Sequence, residues 1–217
     1  MTLPSSITLI SGTAFSGCTS LKSVTIPASV ETIGNDAFSG CTNLEELTIE
    51  DGVKQIGTGA FAGCTKLYSL EIPNSITTIS NLAFSQCEAL RIIKVGKDVE
   101  TIGQGAFGNC KEITDVYCFA EVVPNTSESA FINSLIDYAT LHVPTSSIES
   151  YRASMPWKGF KNIIALSDND TSIKVDKSDN ANIDSYFDLK GQKIDANFRG
   201  ISIVRKSNGE VIKVISK

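Results

Sequence analysis

"GTAFSGCTSL" at residues 12–21 is followed by "NDAFSGCTNL" at 35–44, "GAFAGCTKL" at 59–67, "LAFSQCEAL" at 82–90 and "GAFGNCKEI" at 105–113. Phe15, Phe38, Phe61, Phe84 and Phe107 fall 23 residues apart, and Cys18, Cys41, Cys64, Cys87 and Cys110 keep the same interval. A strict period of this length marks a stacked repeat. So short a unit cannot bury its own apolar edge and does so only against its neighbours.

The units run Leu3–Thr25, Ile26–Thr48, Ile49–Glu71, Ile72–Lys94 and Val95–Tyr117. One of them reads "IPASVETIGNDAFSGCTNLEELT", with apolar sites at Ile26, Val30, Ile33, Ala37, Phe38, Cys41, Leu44 and Leu47. "LKSVTIP" and "LEELTIE" alternate aliphatic and polar residues, the pattern of a half-buried strand. "VETIG" suggests a second short strand, and "NDAFSGC" a helical turn or short 3-10 piece, since it ends in Gly-Cys too soon for an α-helix. Stacked at the ~4.8 Å strand spacing, the coils would set each Phe on the next and form a continuous spine.

The same stacking decides what the cysteines are for. Parallel side chains one strand apart put Cβ atoms near ~4.8 Å, against about 3.8 Å in a disulfide. A line of thiols also lacks the short spacing and tetrahedral closure of a zinc site. The expectation is therefore a column of small buried thiols that pack and bond weakly to backbone at the turn. Cys118 falls at the phase of Ile26, Ile49, Ile72 and Val95 and is expected to be a core residue of a strand.

The unit L-x-x-(L/V)-x-(I/L)-P-x-x-(V/I)-x-x-I-G-x-x-A-F-x-x-C-x resembles the BspA-like leucine-rich repeat, the Treponema pallidum type found in surface proteins of Bacteroides-like bacteria. The resemblance implies a right-handed leucine-rich repeat solenoid with a parallel sheet on its concave face. It covers residues 1–144, the last coil being atypical: Ala130-Phe131 arrives 24 residues after Phe107's position, and Asn133-Ser134 replaces Gly-Cys. Residues 145–166 read as a closing cap, with a short helix in "SSIESYRAS" N-capped by Ser146 or Ser147, and with Trp157, Phe160 and Ile163 over the open core. Because "MTLP" overlays "VTIP", the chain begins in mid-repeat, and a preceding part, with an export signal, is expected in the natural protein.

Residues 167–182 are rich in Asp, Asn, Ser and Lys and read as a linker; "DNDTSIKVD" within them lacks the Gly and terminal Glu of a calcium loop. Residues 183–217 read as a small β module, with "ISIVRK" and "EVIKVIS" joined through Ser207-Asn208-Gly209, an Asn-Gly hairpin signal. This module resembles the short C-terminal modules of exported Bacteroidetes proteins and, more distantly, type IX sorting domains.

A net charge of -5 excludes the basic stripe that phosphate backbones require, so no nucleic-acid partner is expected. No run approaches the ~20 apolar residues of a membrane span. The Gly-rich stretches "GTGAFAG" and "GQGAFG" keep the repeat phase and so are turns rather than phosphate loops. His142, the single histidine, has no nucleophile motif around it and reads as a plain surface residue. Neither catalytic residues, metal ligands nor a cofactor are expected, and the chain is read as no enzyme.

The strand positions that alternate with the core vary from coil to coil. One outward column is Thr25, Thr48, Glu71, Lys94, Tyr117 and His142; beside it stand Ser23, Glu46, Ser69, Ile92 and Asp115, then Lys22, Glu45, Tyr68, Arg91 and Thr114. Tyr68, Glu71, Arg91, Ile92, Lys94, Asp115 and Tyr117 form a mixed aromatic, charged and apolar patch of the kind enriched at binding hot spots. The resulting expectation is an exported, adhesion-like module that binds a protein ligand through its concave face; the resemblance implies ligands that include host-derived ones. Two other readings remain open: a carbohydrate-recognition module and a structural spacer on the cell surface.

Overall fold

The computed structural model describes residues 1–167 and Asp170, together with strand backbone at 183–187, 193–194, 200–206 and 211–216. It divides into two compact units, Met1–Asp170 and Thr171–Lys217.

The first unit is a β-solenoid in which every coil alternates a two-residue and a four-residue strand. In chain order these are β1 (Leu9–Ile10), β2 (Ser23–Ile26), β3 (Thr32–Ile33), β4 (Glu46–Ile49), β5 (Gln55–Ile56), β6 (Ser69–Ile72) and β7 (Thr78–Ile79). There follow β8 (Ile92–Val95), β9 (Thr101–Ile102), β10 (Asp115–Cys118), β11 (Asn125–Thr126), β12 (Thr140–Val143) and β13 (Asn162–Ala165). All pairings here are parallel and join residues of equal phase, such as Leu70 with Ile93 and Val116 with Leu141. The short strands form one six-stranded sheet, β1-β3-β5-β7-β9-β11. The longer strands form the pair β2-β4 and the five-stranded sheet β6-β8-β10-β12-β13, with no ladder between β4 and β6.

The Phe spine stands as the period predicts. From Phe15 to Phe131, successive rings are stacked with centroids 4.9, 5.2, 5.2, 5.7 and 5.3 Å apart. Phe38, Phe61, Phe84 and Phe107 are fully buried.

The segment around each Ala-Phe differs from the expected 3-10 piece. It is a chain of tight turns. Ala37, Ser39 and Cys41 donate their N–H three residues back, to Gly34, Asp36 and Phe38, while Asp36, Phe38 and Gly40 donate to Thr58, Ala60 and Ala62 of the next coil. A helix is impossible here because Asp36 (φ 55°) and Gly40 (φ 71°) are left-handed, which turns alternate N–H groups outward. Both positions recur by phase, as Thr13, Asp36, Gly59, Leu82 and Gly105, and as Gly17, Gly40, Gly63, Gln86, Asn109 and Asn133.

All six cysteines are free, and all but Cys18 are buried. Each turn thiol of the next four coils donates to the Phe carbonyl one coil back: Cys41 to Phe15 at 3.1 Å, Cys64 to Phe38 at 3.4 Å, Cys87 to Phe61 at 3.4 Å and Cys110 to Phe84 at 3.3 Å. In the atypical coil Ser134 Oγ takes over this contact, donating to the Phe107 carbonyl at 2.6 Å. Burial pushes Cys64 and Cys110 up to about 12.

The C-terminal end of the solenoid is closed by α1 (Ile148–Ala153) and an aromatic cluster. Trp157 and Phe160 meet Phe131 edge-on at 5.6 and 5.4 Å, which ends the stack with rings turned across it. The expected side-chain N-cap of Ser147 is not formed. Its hydroxyl instead donates to the Glu121 carbonyl at 2.5 Å, because the preceding turn carries the serine inward and buries it. Ile163, expected as a cap residue only, lies in β13, which adds a further strand to the long sheet.

In the second unit, β14 (Ile183–Phe187), β15 (Lys193–Ile194), β16 (Gly200–Lys206) and β17 (Val211–Ser216) form an antiparallel sheet of order β15-β14-β16-β17. The β16/β17 pairing, from Gly200 with Ser216 to Arg205 with Val211, is the one the alternating pattern implies. The Ser207-Asn208-Gly209 turn and the linker between the units, including most of "DNDTSIKVD", lie outside the described residues.

Candidate functional site

Alternation along the long strands buries Leu70, Ile93, Val116 and Leu141 and turns Ser69, Glu71, Ile92, Asp115 and Tyr117 away from the core. Parallel register then lines the outward side chains up across coils: Glu71 beside Lys94, Lys94 beside Tyr117, Tyr117 beside His142. Side-chain contacts on this face gather into two groups.

The first group is Tyr68, Arg91 and Glu112. Tyr68 is 47% exposed, and the Arg91 guanidinium lies 5.9 Å from its ring centroid. Arg91 Nη2 also reaches Glu112 Oε2 at 2.7 Å. This guanidinium is held between an aromatic face and a carboxylate, a geometry that suits its planar, delocalised charge.

The second group is Asp115, Tyr117 and His142. The rings of Tyr117 and His142 stack with centroids 4.1 Å apart and planes 14° apart. His142 Nε2 lies 3.0 Å from Asp115 Oδ1, one coil back. Burial, together with the negative charges of Asp115 and Asp170, pushes the Tyr117 hydroxyl up to about 12. That hydroxyl therefore remains a hydrogen-bond donor across the physiological range.

Two placements differ from the expectation. Lys94, placed in the exposed patch, is buried, flanked in its column by Glu71 and Tyr117. His142, expected to be a plain surface residue, is half-buried and is the centre of the second group. The signal that could have found it was its phase: it shares a column with Tyr117 and sits diagonally across from Asp115.

Among the described residues, no three His, Cys, Asp or Glu side chains gather to hold a metal ion, and no helix is long and apolar enough to cross a membrane. The family model described as the BspA type leucine-rich repeat region, in six copies, matches residues 1–114, 32–155 and 93–185.

The chain belongs to the BspA-type leucine-rich repeat family.

Among solved structures, the crystal structure of a T. pallidum leucine-rich repeat protein is 37% identical, over 54% of this chain and 57% of that one, with a TM-score of 0.53. That of a leucine-rich cell surface protein from Faecalibacterium prausnitzii is 22% identical, over 97% of this chain and 52% of that one, with a TM-score of 0.51. The second likeness speaks to the fold alone. This BspA-type chain thus spans little more than half the length of either structure. No curated protein matches it.

Proposed function

We propose that this BspA-type chain is a non-catalytic, adhesion-like binding module of a bacterial cell surface, recognising a protein ligand through the outward face of its five-stranded sheet. The observation that carries this reading is the contrast between the two faces of the same strands. The core column repeats Leu, Ile or Val in every coil, while the outward columns vary along the stack and gather Tyr68, Glu71, Arg91, Ile92, Asp115 and Tyr117. Lys94, buried between its column neighbours Glu71 and Tyr117, offers little contact area. The surface location rests on the family.

The ring geometry favours a protein over a glycan. Sugar recognition stacks on an aromatic face, and of the faces of Tyr68 and Tyr117 one is covered by His142 and another is approached by Arg91 at 5.9 Å. What these groups offer outward is a hydroxyl, ring edges and a partly engaged guanidinium, which suit backbone carbonyls and carboxylates of a polypeptide.

The test is a binding screen of the purified chain against immobilised matrix proteins, mucins and glycans, with a Tyr68→Ala/Arg91→Ala/Tyr117→Ala variant alongside. A protein hit that the variant loses supports the reading. A hit confined to glycans, or one the variant keeps in full, overturns it.

A further inference from the structure

Among the described residues the long sheet ends on β13, and the outer edge of that strand carries a second recognition chemistry. Leu166 N–H donates to the Val143 carbonyl at 2.8 Å, so residues of even number in and after β13 turn their backbone groups toward β12. Ile163 and Ala165 therefore turn theirs to the open side. Arg152 Nη2 meets the Ile163 carbonyl there at 3.2 Å. No described residue pairs with the Ile163 N–H or with either backbone group of Ala165. Such a row of unpaired backbone groups is a template for another strand.

The surroundings of this edge are cationic. A concavity of about 370 Å³ opens beside β13, lined by Arg152, Lys158 and Lys161, with Phe160, Ile163 and Ile164 as its apolar part. No carboxylate lines it, although Glu149 Oε1 holds Arg152 Nη1 at 2.8 Å from outside. Three cations around one concavity run against a chain whose net charge is -5. The solenoid end thus combines a strand edge, an apolar floor and positive charge in one place.

We propose that the β13 edge takes an extended acidic peptide as an added parallel or antiparallel strand. Its backbone would pair with Ile163 and Ala165, while its carboxylates would meet Lys158, Lys161 and Arg152. Main-chain pairing gives such a site its affinity, and the flanking charges give it selectivity. The site is centred on the backbone edge of β13, at the end of the sheet that carries Tyr68 and Tyr117, and does not depend on what those side chains bind.

The probe is a fluorescein-labelled eight-residue peptide alternating Glu and Val, titrated into the full chain and followed by anisotropy, with the Lys-Val counterpart as control. Expected is saturable binding of the Glu-Val peptide alone, weakened at least tenfold by Lys158→Glu/Lys161→Glu. Ala165→Pro should weaken it as strongly: it removes an edge N–H without touching the ladder to β12. Hydrogen exchange on the unaltered chain provides the check that needs no variant, because the Ile163 and Ala165 amides should gain protection when the peptide is bound. Equal binding of the Lys-Val peptide, no binding of the Glu-Val peptide, or binding that leaves both amides unprotected overturns the proposal. The last outcome would mean that the cations hold acid groups without strand addition.

Discussion

Leu82 occupies a left-handed backbone position (φ 56°) that Gly59 and Gly105 fill in the neighbouring coils. A left-handed conformation costs an L-residue about 1–2 kcal/mol, whereas glycine's greater freedom in the unfolded chain offsets roughly 0.5–1 of that. Leu82 is 46% exposed, so its side chain contributes little to the core. Leu82→Gly should therefore stabilise the chain by roughly 0.5–1 kcal/mol, seen as a rise of a few degrees in Tm; an unchanged or lower Tm would refute the strain argument. The thiols offer a second test at this scale. Only Cys18 is exposed, so native titration with a thiol reagent near pH 8 should show one fast group and five that react only on unfolding. More than one fast thiol would mean that the buried column is open. The period in the sequence foretold the column and the burial of Cys41, Cys64, Cys87 and Cys110, but not the exposure of Cys18, which lies in the first coil. It could not foretell the acceptor, because that carbonyl belongs to a Phe one coil back.

Among the elements, the Phe spine is the clearest energetic unit. Phe61 is fully buried between two stacked rings, whereas Phe15 lies at the first coil and is only partly covered. Phe61→Ala should cost roughly 3–5 kcal/mol in denaturant unfolding, and Phe15→Ala clearly less. Equal losses would argue against a stack that gains from having neighbours on both sides. The missing ladder between β4 and β6 makes a sharper local prediction. Ser69 and Glu71 have no cross-coil acceptors, while Ile92 and Lys94, at the same phase one coil on, pair with β6. The Ser69 and Glu71 amides should exchange faster with solvent than those of Ile92 and Lys94; similar protection would show the ladder closed in solution. The interruption coincides with the acidic residues Glu45, Glu46, Glu50 and Asp51, which stand close to one another along the chain. Alternation in the sequence announced each four-residue strand, yet it gave no sign of this gap, since pairing depends on the neighbouring coil rather than on the strand itself. The turn segments misled for a related reason. "NDAFSGC" has the length of a 3-10 piece, but two left-handed residues per turn redirect every other N–H to the next coil.

At the scale of the molecule, what could be read in advance was whatever the period repeats: the spine, the thiol column, the two strands per coil and the direction of each face. What stayed hidden was what the period does not repeat. His142 was a lone histidine until parallel register laid it against Tyr117 and brought it to Asp115, and β13 was hidden in a segment without the Ala-Phe signal. The repetition of buried thiols has a consequence that no single coil would show. In the folded chain, burial raises Cys41, Cys64, Cys87, Cys110 and Cys118 above the ordinary value of 9.0, Cys64 and Cys110 to about 12. Between pH 9 and 12 the unfolded chain therefore loses protons that the folded chain keeps. Stability is then lost as pH rises, by up to about 1.4 kcal/mol per pH unit for each thiol in that window, and is unaffected by these groups at lower pH. Tm should be level from about pH 6 to 8 as far as the thiols are concerned, then fall steeply above 9. Ser134 already makes the turn contact with a hydroxyl that does not titrate in this range, so Cys64→Ser/Cys87→Ser should keep that bond and flatten the alkaline slope. If the variant's Tm falls in parallel with the unaltered chain from pH 9 to 11, the alkaline loss comes from other groups, and the thiol column is a packing device alone.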